Sequence, residues 1–230
     1  MDDPAIDPAL HRQALDDLSR LNTASRMEGI LWKALAPELD CVARLSVVDV
    51  ASGRGDMIAG LVRRGGGRIE GHGIDISPTA CDEARRRHTS DRLRFHVADV
   101  FESKGMPEAI GQADVIISTL FIHHLSDDKA IQLLEWMHRA ARRRVVVVDL
   151  ERGWINWWLV RLGVILLTRS PVVRLDSDLS VRASYTRAEL RQLFHRAGIE
   201  RFRHKFHLTG LQSVSFLPAA VVGETTRNFA

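Results

Sequence analysis

The sequence predicts an α/β fold built on a parallel, doubly wound sheet, and three observations carry that prediction. Short apolar runs rich in β-branched residues, such as Val47–Val50, Val115–Ser118 and Val145–Val148, alternate with segments of helical periodicity. These runs lack the polar alternation of a half-solvated sheet, as expected of strands covered on both faces. The first run ends in a glycine turn, Ala51-Ser52-Gly53-Arg54-Gly55, that opens directly into a helical pattern near Asp56.

The elements follow in order. Residues 8–37 read as two helices that cover the fold or pack on its core. Leu10, Ala14, Leu18 and Leu21 form one apolar stripe; Met27, Ile30, Leu31, Ala34 and Leu35 form a second, which Pro37 is expected to end. The first strand is Ser46 to Val50, and the helix after the glycine turn runs from Asp56 to Arg64. Gly65-Gly66-Gly67 stops that helix, since three glycines cost too much backbone entropy to remain helical. The second strand covers Ile69 to Ile76. Ser77-Pro78 starts the next helix, with proline in its first turn. Leu93 to Val97 is the third strand, and residues 101–112 read as irregular. Val115 to Ser118 is the fourth strand, followed by a loop through Leu125 and a helix capped by Ser126-Asp127-Asp128. Arg144 to Leu150 is the fifth strand.

Beyond it the pattern changes. Trp154, Trp157, Trp158, Leu162 and Ile165 to Leu167 make an apolar, helix-like insertion broken near Ser170-Pro171, with a loop expected from Val172 to Ser184. Thr186-x-x-Glu189 is a capping box that opens a helix to Gly198. Ile199 to Thr209 and Gln212 to Val222 read as an antiparallel strand pair closing the sheet. One domain is expected: a helical cover (1–40), a core (46–150), an insertion (151–185), and a C-terminal helix with its strand pair (186–230).

Composition narrows the function classes. The 230 residues suffice for one full core, and 45% hydrophobic with 27% charged residues is ordinary for a soluble globular chain. The formal net charge is only +3. Arg86-Arg87 and Arg142-Arg143-Arg144 fall at expected helix flanks or ends and read as solvated charge. No basic run is interleaved with aromatics, so nucleic acid is not an expected partner. Cys41 and Cys81 show no metal or redox spacing and read as reduced thiols of a cytoplasmic protein. No secretory signal pattern and no transmembrane-length apolar run is present. Asp127-Asp128 has no third ligand at suitable spacing, so no metal is expected.

Ligands of open α/β sheets bind beyond the C-terminal strand ends. Gly53, Gly55, Asp75, Asp99 and Ser118 all fall at such ends. Glycine in the first turn lets a ligand approach the main chain, and Asp75, about 20 residues beyond the turn, can accept both hydroxyls of a ribose. Asp49 either orders the turn or belongs to the ligand site, and Asp99 either caps a helix or contacts the ligand.

These landmarks resemble a class I S-adenosylmethionine (SAM)-dependent methyltransferase. Asp49-x-Ala51-x-Gly53-x-Gly55 is similar to the family's first motif, with Ala51-Ser52 in place of the commoner Gly-[Thr/Ser/Cys] pair. Gly73-x-Asp75, Ala98-Asp99-Val100 and Asp114-Val115-Ile116-Ile117-Ser118 are similar to later motifs, in the right order across the central half of the chain. The resemblance implies a seven-stranded, mostly parallel sheet whose last strand is antiparallel. It implies a SAM site made of Asp49, Ala51, Ser52, Gly53, Gly55, Asp75, Ile76, Asp99, Val100 and Ser118, with Asp75 on the ribose and Asp99 and Val100 on the adenine.

Methyl transfer from a sulfonium needs an aligned nucleophile more than an acid, and a phenol or enol gains from a base that removes its proton. His123 and His124 directly follow the fourth strand, and either is a candidate base; the alternative is that they only shape the pocket. His11 on the cover, and Trp154, Trp157, Trp158 and Tyr185 in or after the insertion, are candidates for the acceptor pocket. The Trp-rich segment reads as a substrate lid, as a membrane-surface or dimer-contact helix edged by Arg152 and Arg161, or as a structural helix. The function expected is SAM-dependent methylation of a hydrophobic small molecule, on the hydroxyl of a phenolic, polyketide-derived or quinone-precursor compound. C-methylation of a similar acceptor, a nicotinamide-dependent oxidoreductase and a non-catalytic SAM-binding protein are the alternatives.

Overall fold

The computed structural model describes residues 21, 25–102, 110, 112–168 and 171–219. His11 and nearly all of the first expected helix lie outside these residues, as does most of the irregular stretch 101–112. The elements are α1 (Met27–Leu39), β1 (Leu45–Val50), α2 (Asp56–Arg64), β2 (Ile69–Asp75), α3 (Pro78–Arg87), β3 (Leu93–Val97), β4 (Ala113–Thr119), a 3-10 turn (Ile122–His124), α4 (Asp127–Ala140), β5 (Ala141–Leu150), α5 (Trp154–Leu167), α6 (Pro171–Ala183), α7 (Arg187–Arg196), β6 (Phe202–Phe206) and β7 (Leu211–Phe216).

The strands form one seven-stranded sheet in the order β3-β2-β1-β4-β5-β7-β6. β1 through β5 are parallel; β7 inserts antiparallel between β5 and β6. The β-branched runs bury both faces. Val47, Val115, Ile117, Val146 and Val148 pack under α1, α2 and α3, while Val48, Ile116, Val145 and Val147 pack under α4 and α7. Each such side chain, fully buried, is worth roughly 1.5–3 kcal/mol. Two layers of helix on one sheet of β-branched residues are therefore what this sequence stabilises best.

The chain leaves β1 toward β2 and β3 on one side, then crosses back to β4 on the other. The switch point therefore lies between β1 and β4, where their C-terminal ends open a crevice. The glycine turn after β1 and the 3-10 turn after β4 flank that crevice.

Three local expectations are corrected. Pro37 sits inside α1 and does not end it, because in the last turn a proline removes only one helical hydrogen bond while Leu39 gains a buried position. The expected loop Val172 to Ser184 is α6, packed against α5; Val173 and Val181, eight residues apart and both buried, supply the helical stripe that the intervening acidic and serine residues mask. Arg142-Arg143-Arg144 begins β5 and is not a solvated helix end. Arg143 and Arg144 both donate to the buried carboxylate of Glu38 on α1, at 3.1 and 2.6 Å. The capping box is present: the Thr186 hydroxyl accepts from Glu189 N–H while the Glu189 carboxylate accepts from Thr186 N–H.

Candidate functional site

The glycine turn is held open by its backbone. Ala51, Gly53 and Gly55 have φ of 58, 53 and 74°. Glycine meets that requirement freely, whereas Ala51 adopts a left-handed conformation that costs an L-residue about 1–2 kcal/mol. Strain of this kind collects at functional turns. Leu120, just after β4 on the other side of the crevice, has φ of 51° as well. The space a Cβ on Gly53 would enter is open, so the main chain there is accessible. Gly55 serves a different purpose. A Cβ on it would lie 2.3 Å from a ring carbon of Phe95, so this glycine lets β3 pack beneath the turn, and Gly55 does not itself line the cavity.

Asp75 ends β2 beside this turn. Its carboxylate accepts from Gly53 N–H at 2.7 Å through Oδ2 and from Ser77 N–H at 2.9 Å through Oδ1. An ionised carboxylate has about four acceptor sites, so capacity for two hydroxyls remains. Ile76 projects outward next to it at the cavity rim. Asp99, beyond β3, accepts from Phe101 N–H at 2.8 Å and also lines the cavity together with Val100. This bond closes a local turn, and no helix starts at Asp99 among the described residues.

Asp49 lies below the turn, fully buried, and neither carboxylate oxygen has a hydrogen-bond partner among the described residues. Burial, reinforced by the nearby charge of Asp75, pushes its acid up to about 8. It does not line the cavity.

The opposite wall carries a buried histidine–carboxylate hydrogen bond. His123, in the 3-10 turn, places Nδ1 at 2.6 Å from Asp149 Oδ1, and its main-chain N–H donates to Asp149 Oδ2 at 3.2 Å. Both side chains are buried. Asp149 ends the buried valine run of β5, one residue past its strongest core positions. An ionised carboxylate only accepts, so Nδ1 carries the proton and Nε2 of the neutral ring is the basic nitrogen. The His124 ring lies against that of His123, centroids 4.1 Å apart and planes tilted by 40°, and both residues line the cavity. Asp149 was not among the residues singled out from the sequence. The signal that could have found it is the one that marks Asp75, an acid closing an apolar strand at the ligand-binding edge.

Glycine turn, acids and histidines face one cavity of about 900 Å³. Small-molecule sites span on the order of 300–1,000 Å³, so this one has room for two ligands side by side. Ala51, Ser52, Gly53, Asp75, Ile76, Asp99, Val100, His123 and His124 line it. Besides Asp49 and Gly55, five residues named from the sequence lie elsewhere. Ser118 is buried in the sheet, its hydroxyl 3.4 Å from Val50 O; Thr119 and Leu120 face the cavity in its place. The Tyr185 hydroxyl donates toward Leu125 O and Asp127 at 3.3 and 3.1 Å; burial and Asp127 push this phenol up to about 12, so it holds its proton. Trp154 and Trp158 point to solvent. Trp157 also lies away from the cavity, donating its indole N–H to Asp178 of α6 under the Arg161 guanidinium. The insertion meets the cavity through Leu159, Val160 and Gly163 of α5 and Ser177 and Ser180 of α6. Among the described residues no cluster of three or more metal-ligating side chains is present.

Comparison with known proteins is consistent with this geometry. Residues 47–153 match a family model described as a methyltransferase domain. Three solved structures share the fold. The plantazolicin methyltransferase BpumL, in complex with a triazolic desmethylPZN analog and S-adenosylhomocysteine, superposes with a TM-score of 0.66 at 16% identity over 92% of each chain. Magnesium protoporphyrin IX methyltransferase from Synechocystis PCC 6803, with bound S-adenosylhomocysteine, gives 0.59 at 15% identity over 94% of this chain and 90% of that one. Human N-acetylserotonin methyltransferase, in complex with SAM, gives 0.60 at 17% identity over 91% of this chain and 58% of that one, so this chain spans less than two thirds of the human enzyme's length. No curated protein sequence matches this chain.

Proposed function

We propose that this chain, whose residues 47–153 match a methyltransferase domain, is a class I methyltransferase served by SAM that methylates the hydroxyl of a hydrophobic, phenol-like small molecule, with His123 as general base. The observation that carries this reading is the buried His123–Asp149 pair on the wall of the same cavity as the Gly53–Asp75 turn. The residues present fit the cofactor: an open main chain at Ala51–Gly53, a carboxylate at Asp75 with spare acceptor capacity, and Asp99 and Val100 beyond it. Bound SAM supplies a methyl group already activated by its positive sulfur.

This chain's own residues then have three tasks. The glycine turn and Asp75 hold the adenosyl end at the switch point. The apolar cavity wall, with Phe121, Leu125, Leu150, Leu159 and Leu211, excludes water and suits an aromatic or aliphatic acceptor. His123 accepts the acceptor's hydroxyl proton on Nε2, while Asp149 fixes the tautomer through Nδ1–H and stabilises the resulting imidazolium. The two matched structures whose bound or named compounds are a plantazolicin analog and N-acetylserotonin support a small-molecule acceptor.

The test is methyl transfer from SAM to a panel of phenols, with His123→Ala beside wild type. The expected result is methylated product, kcat lowered on the order of 10²–10⁴-fold in the variant, and SAM affinity by calorimetry within about threefold of wild type. An unchanged kcat would dismiss the base. Binding of NADH without affinity for SAM would dismiss the whole reading.

A further inference from the structure

α5 is built inside out. On a helical projection Trp154, Ile155, Trp158, Leu162, Ile165 and Leu166 share one arc, and all six are more than half exposed. Arg161 stands at the border of that arc, and no acidic residue lies within it. The opposite arc is fastened to the protein. Asn156 is buried and donates to Glu151 O and Gly210 O, Trp157 donates to Asp178 of α6, and Val164 is buried. The helix is therefore held firmly with its apolar side outward. A contiguous exposed apolar face of this kind marks an interaction surface.

The face is continuous with the cavity mouth. Leu159 is both exposed and part of the cavity wall, and so is Leu208, which is 92% exposed in the β6–β7 turn beside it. We propose that α5 docks in the plane of an anionic lipid surface, with its two exposed tryptophans at headgroup level and the cavity mouth opening onto the bilayer. Three features favour lipid over other occupants. Fourteen residues span about 21 Å at 1.5 Å per residue, short of the roughly 20 residues needed to cross a bilayer, so the helix fits lying in the interface. Exposed tryptophans beside aliphatic side chains suit the headgroup boundary. The exposed Arg161, at the border of the apolar arc and over the Trp157 ring, complements anionic headgroups on a chain of net charge +3, whereas Arg152 and Arg182 nearby are paired with Glu189 and Asp178. A protein partner seated on the same face would instead cover the cavity mouth.

The docking stands apart from the methyl acceptor's identity, because it is read by binding alone. The experiment is flotation of the full chain with vesicles of phosphatidylcholine alone, and of phosphatidylcholine mixed with phosphatidylglycerol as the anionic lipid. Tryptophan emission and light scattering are recorded in parallel. The expected result is flotation with the anionic vesicles and a blue shift of emission. Trp154→Ser/Trp158→Ser/Leu162→Ser lowers vesicle affinity at least about tenfold, and Arg161→Gln lowers it about fivefold on anionic vesicles only. These positions are exposed, so the melting temperature of each variant should match wild type and separates lost docking from lost fold. Failure to float with either vesicle overturns the proposal. So does a stable dimer, seen by light scattering, that the triple variant dissociates, since a second copy would then occupy the face.

Discussion

Asp149 holds His123 by ring and main chain at once, so one carboxylate sets both the tautomer of the proposed base and the position of the loop that carries it. Asp149→Asn keeps the shape and removes the charge. The expected outcome is a kcat lowered about tenfold or more, with SAM affinity and acceptor KM little changed, because the loss falls on the proton transfer and not on binding. Steady-state kinetics with calorimetry checks this; equal losses in kcat and affinity would make Asp149 a structural residue. Asp49 poses the opposite electrostatic problem, a buried acid with no hydrogen-bond partner among the described residues. Its folded-state acid lies near 8, above the ordinary 3.8, so the neutral form is favoured on folding. The stability it contributes is complete below about pH 4 and is lost as the pH rises toward about 8. Thermal melts should show the wild type less stable at the alkaline end of that window, with Asp49→Asn flattening the fall. Equal falls in both proteins would mean that other groups carry it.

At the scale of elements, the glycine turn works because β3 packs beneath it. Gly55→Ala meets both a left-handed φ and the Phe95 ring. The expected cost is about 2–5 kcal/mol by chemical denaturation, the sum of backbone strain and overpacking. Adding Phe95→Leu should restore only the packing part, since the backbone strain stays; full restoration would show that φ there is unimportant. Most elements were legible because a single local signal marked each one. The glycines stop α2, Ser77-Pro78 starts α3, and the Thr186–Glu189 box starts α7. Local signals failed where a tertiary neighbour outweighed them. α6 is helical because Val173 and Val181 have a core to reach, although Asp and Ser residues between them read as a loop. The arginines at 143 and 144 face a buried Glu38 more than a hundred positions away, which no window along the chain could reveal.

At the scale of the molecule, the loops after β1, β2, β3 and β4 converge only because the strand order reverses between β1 and β4. A ligand seated there ties four loops together and should stabilise the whole fold. SAM at a hundred times its Kd contributes about 2.7 kcal/mol, which for a chain of this size raises Tm by about 5–10 °C. Differential scanning fluorimetry should show that rise, and Asp75→Ala should remove most of it. No rise at saturating SAM would count against the cofactor site as built here.

The one-dimensional pattern determined the sheet, its helices and the glycine–acid edge, because β-branched runs, caps and glycine punctuation act over a few neighbouring residues. It also marked His123 and His124, which follow the fourth strand directly. Tertiary structure alone decided that Asp149 stands against His123, that Ser118 and Tyr185 turn away from the cavity, and that Trp154 and Trp158 of α5 face outward. Each of those outcomes depends on which distant side chains share a face or a strand end, and that follows from strand order and packing, quantities with no counterpart along the chain.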